Sequence, residues 1–179
     1  MIPFDIVVAL DINFGIGKNG LLPWNLPGDM RHFKDITGRS QSLLKKNAVI
    51  MGRKTWEVLP DKFRPLPGRV NLVLTHNKKL SFPQGVLKAE NLDSALMILS
   101  STKYRDLIET VFVIGGAQVY QEAIKHPRCR KIYVTQIQSE FECETFFPPI
   151  PPRFKQVSQS SHCIENSLEY YFSEYSDSR

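Results

Sequence analysis

The chain has 179 residues, of which 42% are hydrophobic and 23% charged; this excludes a disordered or collagen-like polymer and fits one domain with a core of its own. Its net charge of +5 favours an anionic partner. No run of Lys or Arg exceeds two residues (Lys45-Lys46, Lys78-Lys79), so a small phosphorylated or carboxylated molecule fits better than nucleic acid.

From the N-terminus, Met1 to Asp5 shows neither a basic start nor a signal-peptide core. Phe4 to Leu10 is a continuous apolar run of the kind found in strands buried on both faces. Gly15-Ile16-Gly17-Lys18-Asn19-Gly20 follows and matches GxGxxG. A dinucleotide fingerprint needs a helix at the last glycine, and Pro23 and Pro27 block one. The glycines are therefore expected to shape a mobile surface loop. Leu21, Leu22 and Trp24 would give it an apolar face able to close over a ligand; an ordinary connection with buried anchors is the equal alternative.

Gly28 to Ile36 reads as a helix with Met30 and Phe33 on one face. Asp29, near its start, is either a cap and dipole partner or an inward-facing acid. In the second case it would select a ligand with paired donors, such as a protonated amidine-like ring edge. Asn47 to Met51 is a second strand, and Gly52-Arg53-Lys54-Thr55 after it reads as a phosphate seat or as a solvated basic helix start. Arg64 and Arg69 flank Pro65-Leu66-Pro67-Gly68, and one of them on that rigid turn could clamp a carboxylate.

Val70 to Leu74 is a third strand. Leu92 to Leu99 is a helix capped by Asn91 or Asp93, and Val111 to Ile114 is a strand. Val113-Ile114-Gly115-Gly116-Ala117-Gln118 repeats the order strand, glycines, helix; two such turns at strand ends suit a dinucleotide, and a tight turn alone is the alternative. Gln118 to Ile124 is a helix ended by Pro127, and Ile132 to Thr135 is a strand. Pro148 to Pro152 makes a rigid turn, and Phe154 to Val157 with Leu168 to Tyr175 reads as a final hairpin. Strands alternating with helices predict one α/β domain over residues 1–179, its sheet covered on both sides. The apolar runs fall far short of the ~18 residues of a membrane span. Cys129, Cys143 and Cys163 are odd in number and contain no CxxC; a reducing compartment is expected, the cytoplasm first and an organelle as the alternative. No metal-ligand spacing is present, and His32, His76, His126 and His162 are scattered.

Taken together, Ile6 to Ala9, Gly15 to Gly20, Leu22-Pro23-Trp24, Asp29, Phe33, Met51 to Trp56, Leu66 to Arg69 and Val113 to Tyr120 resemble the dihydrofolate reductase family, in a eukaryotic or protist form. The likeness runs on through Phe146-Phe147-Pro148 to the last strand. It implies an eight-stranded, mostly parallel sheet with an antiparallel C-terminal strand and four helices. It also implies NADPH-dependent reduction of dihydrofolate to tetrahydrofolate, with antifolate inhibitors as further ligands. By position it makes Asp29 the pocket acid linked to Thr135, and places Leu22 and Trp24 at the mobile loop and an ordered-water site. It places Val7, Val8, Met30, Phe33, Thr55, Leu59, Leu66, Ile114 and Tyr120 around the substrate, with Arg69 on its glutamate carboxylate. Ala9, Ile16, Gly20, Gly52, Arg53, Lys54, Thr55, Leu74, Thr75, His76, Gly115, Gly116, Ala117, Gln118, Val119 and Tyr120 fall at the NADPH site, and the Gly115–Gly116 peptide is expected to be cis. Two features depart from many relatives: His76 stands in place of an arginine near the adenosine phosphate, and Met30, Val58 and Phe63 occupy variable rim positions. Competing readings are the reductase half of a fused reductase–thymidylate synthase, a fold-related reductase of riboflavin synthesis, which Asp29 with Arg69 disfavours, and a silent folate-binding module.

Overall fold

The computed structural model describes residues 1–179. In chain order the elements are β1 (Phe4–Leu10), β2 (Gly15–Gly17), α1 (Pro27–Gly38), β3 (Lys46–Gly52), α2 (Arg53–Val58), β4 (Val70–Leu74), β5 (Leu87–Ala89), α3 (Leu92–Leu99), β6 (Ile108–Val113), α4 (Ala117–Ala123), β7 (Cys129–Ile137), β8 (Thr145–Phe146), β9 (Phe154–Gln159), β10 (Cys163–Glu165) and β11 (Leu168–Asp177). The main sheet runs β10-β11-β7-β1-β6-β3-β4-β5, with β9 also paired to β11. Every pairing from β7 to β5 is parallel, and β11 alone reverses against β7.

The expected eight positions across the sheet are all present. The ninth strand arises because the outer edge beside β11 is broken: β9 pairs with its second half and β10 with its first, and Ser160 bridges the gap by donating its N–H to Phe172 O at 2.8 Å. The final hairpin is correspondingly more complex than its sequence shows. The tight turn is between β10 and β11, where Asn166 and Ser167 take φ of 50° and 62°.

Strand residues alternate between two cores, as the two-residue period of a pleat requires. Phe4, Ile6, Val8 and Leu10 of β1 join Ala48, Ile50, Val111 and Val113 beneath α3 and α4. Val7, Val49, Met51 and Phe112 face the other way, toward Trp56, Phe33 and Ile36 of α1 and α2. Burial on both sides is why these strands read as unbroken apolar runs. The α3 cap is Asn91, whose side chain accepts from the Ser94 N–H while Ser94 Oγ accepts from the Asn91 N–H.

The GxGxxG segment differs from expectation. Gly15 and Gly17 are not loop glycines but form β2, which pairs with β8. Gly15 must lack a side chain because a Cβ there would collide with Cys143 Sγ. Only the stretch after it turns as a loop, with Lys18 and Leu21 exchanging main-chain bonds of 2.9 Å around Asn19 and Gly20. No helix is long and apolar enough to cross a membrane.

Candidate active site

The site lies where the carboxyl ends of β1, β3 and β6 meet α1, α2 and α4, beside the point at which the chain reverses its direction of growth across the sheet. Asp29 sits in the first turn of α1. The preceding Pro27 fills the first helical position, where a missing N–H costs nothing. The Asp29 carboxyl is 6% exposed, and Thr135 of β7 donates its hydroxyl to Oδ1 at 2.7 Å. Oδ1 has that one partner, and Oδ2 has none within the protein. Burial lifts the proton affinity of Asp29 above the usual carboxylate range. The Thr135 bond opposes that shift, and the charge of Glu165 adds to it.

Around this acid, Val7, Phe33, Leu59, Leu66 and Ile114 belong to one apolar cluster on the α1 side of the sheet. Val8 points its side chain into the opposite core, so it offers the cleft only its main chain. Met30, Leu22, Val58 and Phe63 are exposed apolar residues. Gly20, at φ 76°, brings the loop to α2: a Cβ on it would touch Val58 at 3.4 Å. Trp24 is buried, packs edge-on against Phe141, and its Nε1–H has no hydrogen-bond partner.

The two glycine turns are one structure. Gly52 N–H donates to Gly115 O at 2.8 Å, which locks the end of β3 to the segment after β6. The Gly115–Gly116 peptide is cis. Side chains here would be crowded: a Cβ on Gly116 would come within 3.2 Å of Thr55 Oγ1, and one on Gly52 within 3.2 Å of Val119 Cγ2, so each neighbour would have to give way. Tyr120 lies against Gly115 and anchors itself by donating to Val7 O at 2.7 Å. Neither α2 nor α4 has a side-chain cap, so their first-turn N–H groups are left for a ligand or water. Ala117, Gln118 and Val119 open α4.

Of the flanking cations, Arg53 turns back to Glu57 at 2.6 Å, Lys54 follows it, and His76 is exposed just beyond Leu74 and the buried Thr75. Ala9 packs against the Trp24 cluster, and Ile16 against the α3–α4 core. The two candidate clamp arginines separate clearly. Arg64 pairs with Asp61 and donates to Glu57 O at 3.1 Å. Arg69 is half-buried over the Phe33 ring and donates to Thr37 Oγ1 at 2.7 Å and Pro67 O at 3.1 Å, with no carboxylate partner.

Three contributors are not among the site residues expected from the sequence. Asn71, mid-strand and buried, accepts from Leu66 N–H at 2.9 Å and donates to Leu66 O and Arg69 O, fixing the turn that carries both residues. Thr37 is the second, holding Arg69 while bonded to Phe33 O at 2.7 Å. Glu165 is the third, accepting from Gly28 N–H at 2.7 Å. A polar residue inside the run Val70-Asn71-Leu72-Val73-Leu74 is a signal for the first; the other two have none.

Paired glycine turns at adjacent strand ends, with one buried carboxylate beside them, place the chain among doubly wound α/β proteins, a class in which the switch point is the usual seat of a small ligand. Within that class the chain belongs to the dihydrofolate reductase family, whose model, described as "Dihydrofolate reductase", matches residues 3–177. It is 42% identical over 182 residues to the dihydrofolate reductase of Heliothis virescens, with 97% of each chain covered. It is also 48% identical over 172 residues to the bifunctional dihydrofolate reductase-thymidylate synthase of Zea mays, which covers 94% of this chain but 33% of that protein. The chain thus spans about a third of the length of such plant relatives. The solved structure of Schistosoma mansoni dihydrofolate reductase superposes with a TM-score of 0.86 at 35% identity, covering 98% of each chain.

Proposed function

We propose that the protein is an oxidoreductase that reduces 7,8-dihydrofolate to 5,6,7,8-tetrahydrofolate with NADPH. The observation that carries this reading is Asp29: a carboxyl buried at a helix start, with one oxygen held by Thr135 and the other open to a ligand. Family membership supports the activity, and the glycine turns fit the cofactor because their main chain is left bare where a side chain would be crowded. Ala9, Ile16 and Gly20 on one side, with Gly52 to Thr55, Leu74 to His76 and Gly115 to Tyr120 on the other, would hold it. When bound, NADPH supplies the hydride that ends on C6 of the substrate.

The chain's own residues do the rest. Asp29 orients the flat ring through paired hydrogen bonds, and its negative charge favours the ring protonated at N5. Thr135 fixes which way the carboxyl faces. The orphan Trp24 Nε1–H is a buried donor that an ordered water would satisfy, and such a water would serve as a carrier for that proton. Leu22, on the exposed loop, closes the entrance and excludes bulk solvent. Phe33, Leu59, Leu66 and Ile114 pack the ring and its linker, while Arg69 takes the glutamate carboxylate in place of the partner it lacks in the protein. Antifolates carrying a protonated ring edge would compete at Asp29.

Loss of reduced-nicotinamide absorbance, measured on mixing the protein with NADPH and dihydrofolate, tests the reading; no dihydrofolate-dependent loss overturns it. A second reading, linkage to thymidylate synthase, draws on the plant relatives whose names pair the two activities. The full-length gene product decides it. The three cysteines, all free, support a reducing compartment, and the cytoplasm is the proposed location.

A further inference from the structure

Helix α1 begins without a cap of its own. Its N-cap residue is Leu26, which has no side-chain acceptor, and Pro27 brings no N–H, so Gly28 N–H is the first donor needing a partner. That partner comes from 137 residues further along the chain. Glu165, the last residue of β10, accepts from Gly28 N–H at 2.7 Å through Oε2. Arg31 of α1 approaches the same carboxylate at 3.8 Å, and Asn166 donates to Asn25 O at 2.8 Å. The hairpin can close this far because residue 28 has no side chain: a Cβ there would overlap the Tyr170 hydroxyl. The next residue is Asp29.

We propose that Glu165 is a positioning residue for Asp29: it caps the first turn of α1 from the β10–β11 hairpin and sets a second carboxylate behind the pocket acid. This rests on Asp29 being the pocket acid of the reading above. Thr135 from β7 bonds Asp29, and Tyr120 from α4, Tyr170 from β11 and Glu165 from β10 lie within electrostatic reach of it, while Arg31 and His32 share its helix. His32 is held toward its neutral form by burial, and Arg31 lies mostly in solvent, so Glu165 is the charge with the clearest hold on Asp29. Its sign matches the direction in which the Asp29 carboxyl is displaced. One side chain thus performs two separable tasks: an acceptor for the helix start and a negative charge that raises the proton affinity of its neighbour.

The two tasks separate in Glu165→Gln and Glu165→Ala. Each variant is measured for the Asp29 titration by carbon NMR (assigned with Asp29→Asn), for kcat and KM with dihydrofolate and NADPH, and for thermal unfolding. Glu165→Gln keeps an acceptor for Gly28 N–H, so the thermal midpoint stays near that of the unmodified protein while the Asp29 midpoint falls and the pH profile of kcat moves with it. Glu165→Ala loses both tasks, and kcat falls roughly ten- to a hundred-fold, the scale of a misplaced reacting group. An unmoved Asp29 midpoint in Glu165→Gln overturns the proposal, as does an unchanged kcat in a folded Glu165→Ala. If Glu165→Ala does not fold, the midpoint in Glu165→Gln decides alone. If the unmodified protein fails to turn over dihydrofolate, the reductase reading falls, yet the Asp29 titration still reports on Glu165.

Discussion

The Thr135 hydroxyl meets Asp29 Oδ1 at 2.7 Å, joining the first turn of α1 to the C-terminal part of β7 across 106 residues of chain. This single bond decides which carboxyl oxygen is left for a ligand. Replacing Thr135 with Val keeps the volume and removes the donor. The buried oxygen then loses its one partner, at a cost of about 1–3 kcal/mol, and the proton affinity of Asp29 rises further because the opposing bond is gone. The expected result is a loss of roughly tenfold or more in kcat/KM. Steady-state rates across pH check it.

Asp29→Asn removes the charge and keeps the shape. Hydride transfer is expected to fall by roughly 10²–10⁴ while NADPH binding stays near its original strength. Stopped-flow single turnovers and a fluorescence titration with the cofactor measure the two separately. Turnover unchanged at neutral pH would remove Asp29 from its assigned role.

Arg69→Leu tests the clamp. The guanidinium is half-buried and has no carboxylate partner within the protein, so a ligand carboxylate would supply one at about 1.5–3 kcal/mol. Folate affinity should drop roughly tenfold to a hundredfold, while a diaminopyrimidine antifolate without a glutamate tail loses little. Calorimetry on both ligands makes the comparison, and equal losses would count against the assignment.

Asp5 gives a pH prediction remote from the site. It is buried at the start of β1, where burial raises its pKa from 3.8 to about 6 against the pull of Arg130 and Lys131. Between those values the folded state holds more protons than the unfolded one, so stability falls as pH rises from about 4 to about 6. Asp5→Asn cannot ionise, so its advantage over the unmodified protein should grow across that window by up to about 3 kcal/mol. Urea unfolding at a series of pH values reads this directly; a difference that stays flat or shrinks with rising pH contradicts it.

Much of the sheet is legible in the residues because its central strands are buried on both faces. Val7 and Val8 point opposite ways, and both positions had to be apolar. The short elements are not legible. β2, β5, β8 and β10 span two or three residues each, too few for any period to show, and tertiary contacts create them. The glycines at 15 and 17 were readable as a motif but not as a strand, since the reason for Gly15 is Cys143, far away in sequence. The site divides in the same way. Asp29, Arg69 and the glycine turns sit in local contexts with a chemical meaning, whereas Thr37 and Glu165 gain theirs only when distant segments meet.

The break between β9 and β10 bears on how the protein behaves in concentrated solution. A long, straight outer strand would present a ladder of open main-chain groups on which another copy could grow, the usual route from a folded sheet to fibrous assemblies. Here the border of the sheet is split at residues 160–162, and the longer piece is studded with Lys155, Gln156 and Gln159, so no unbroken template is on offer.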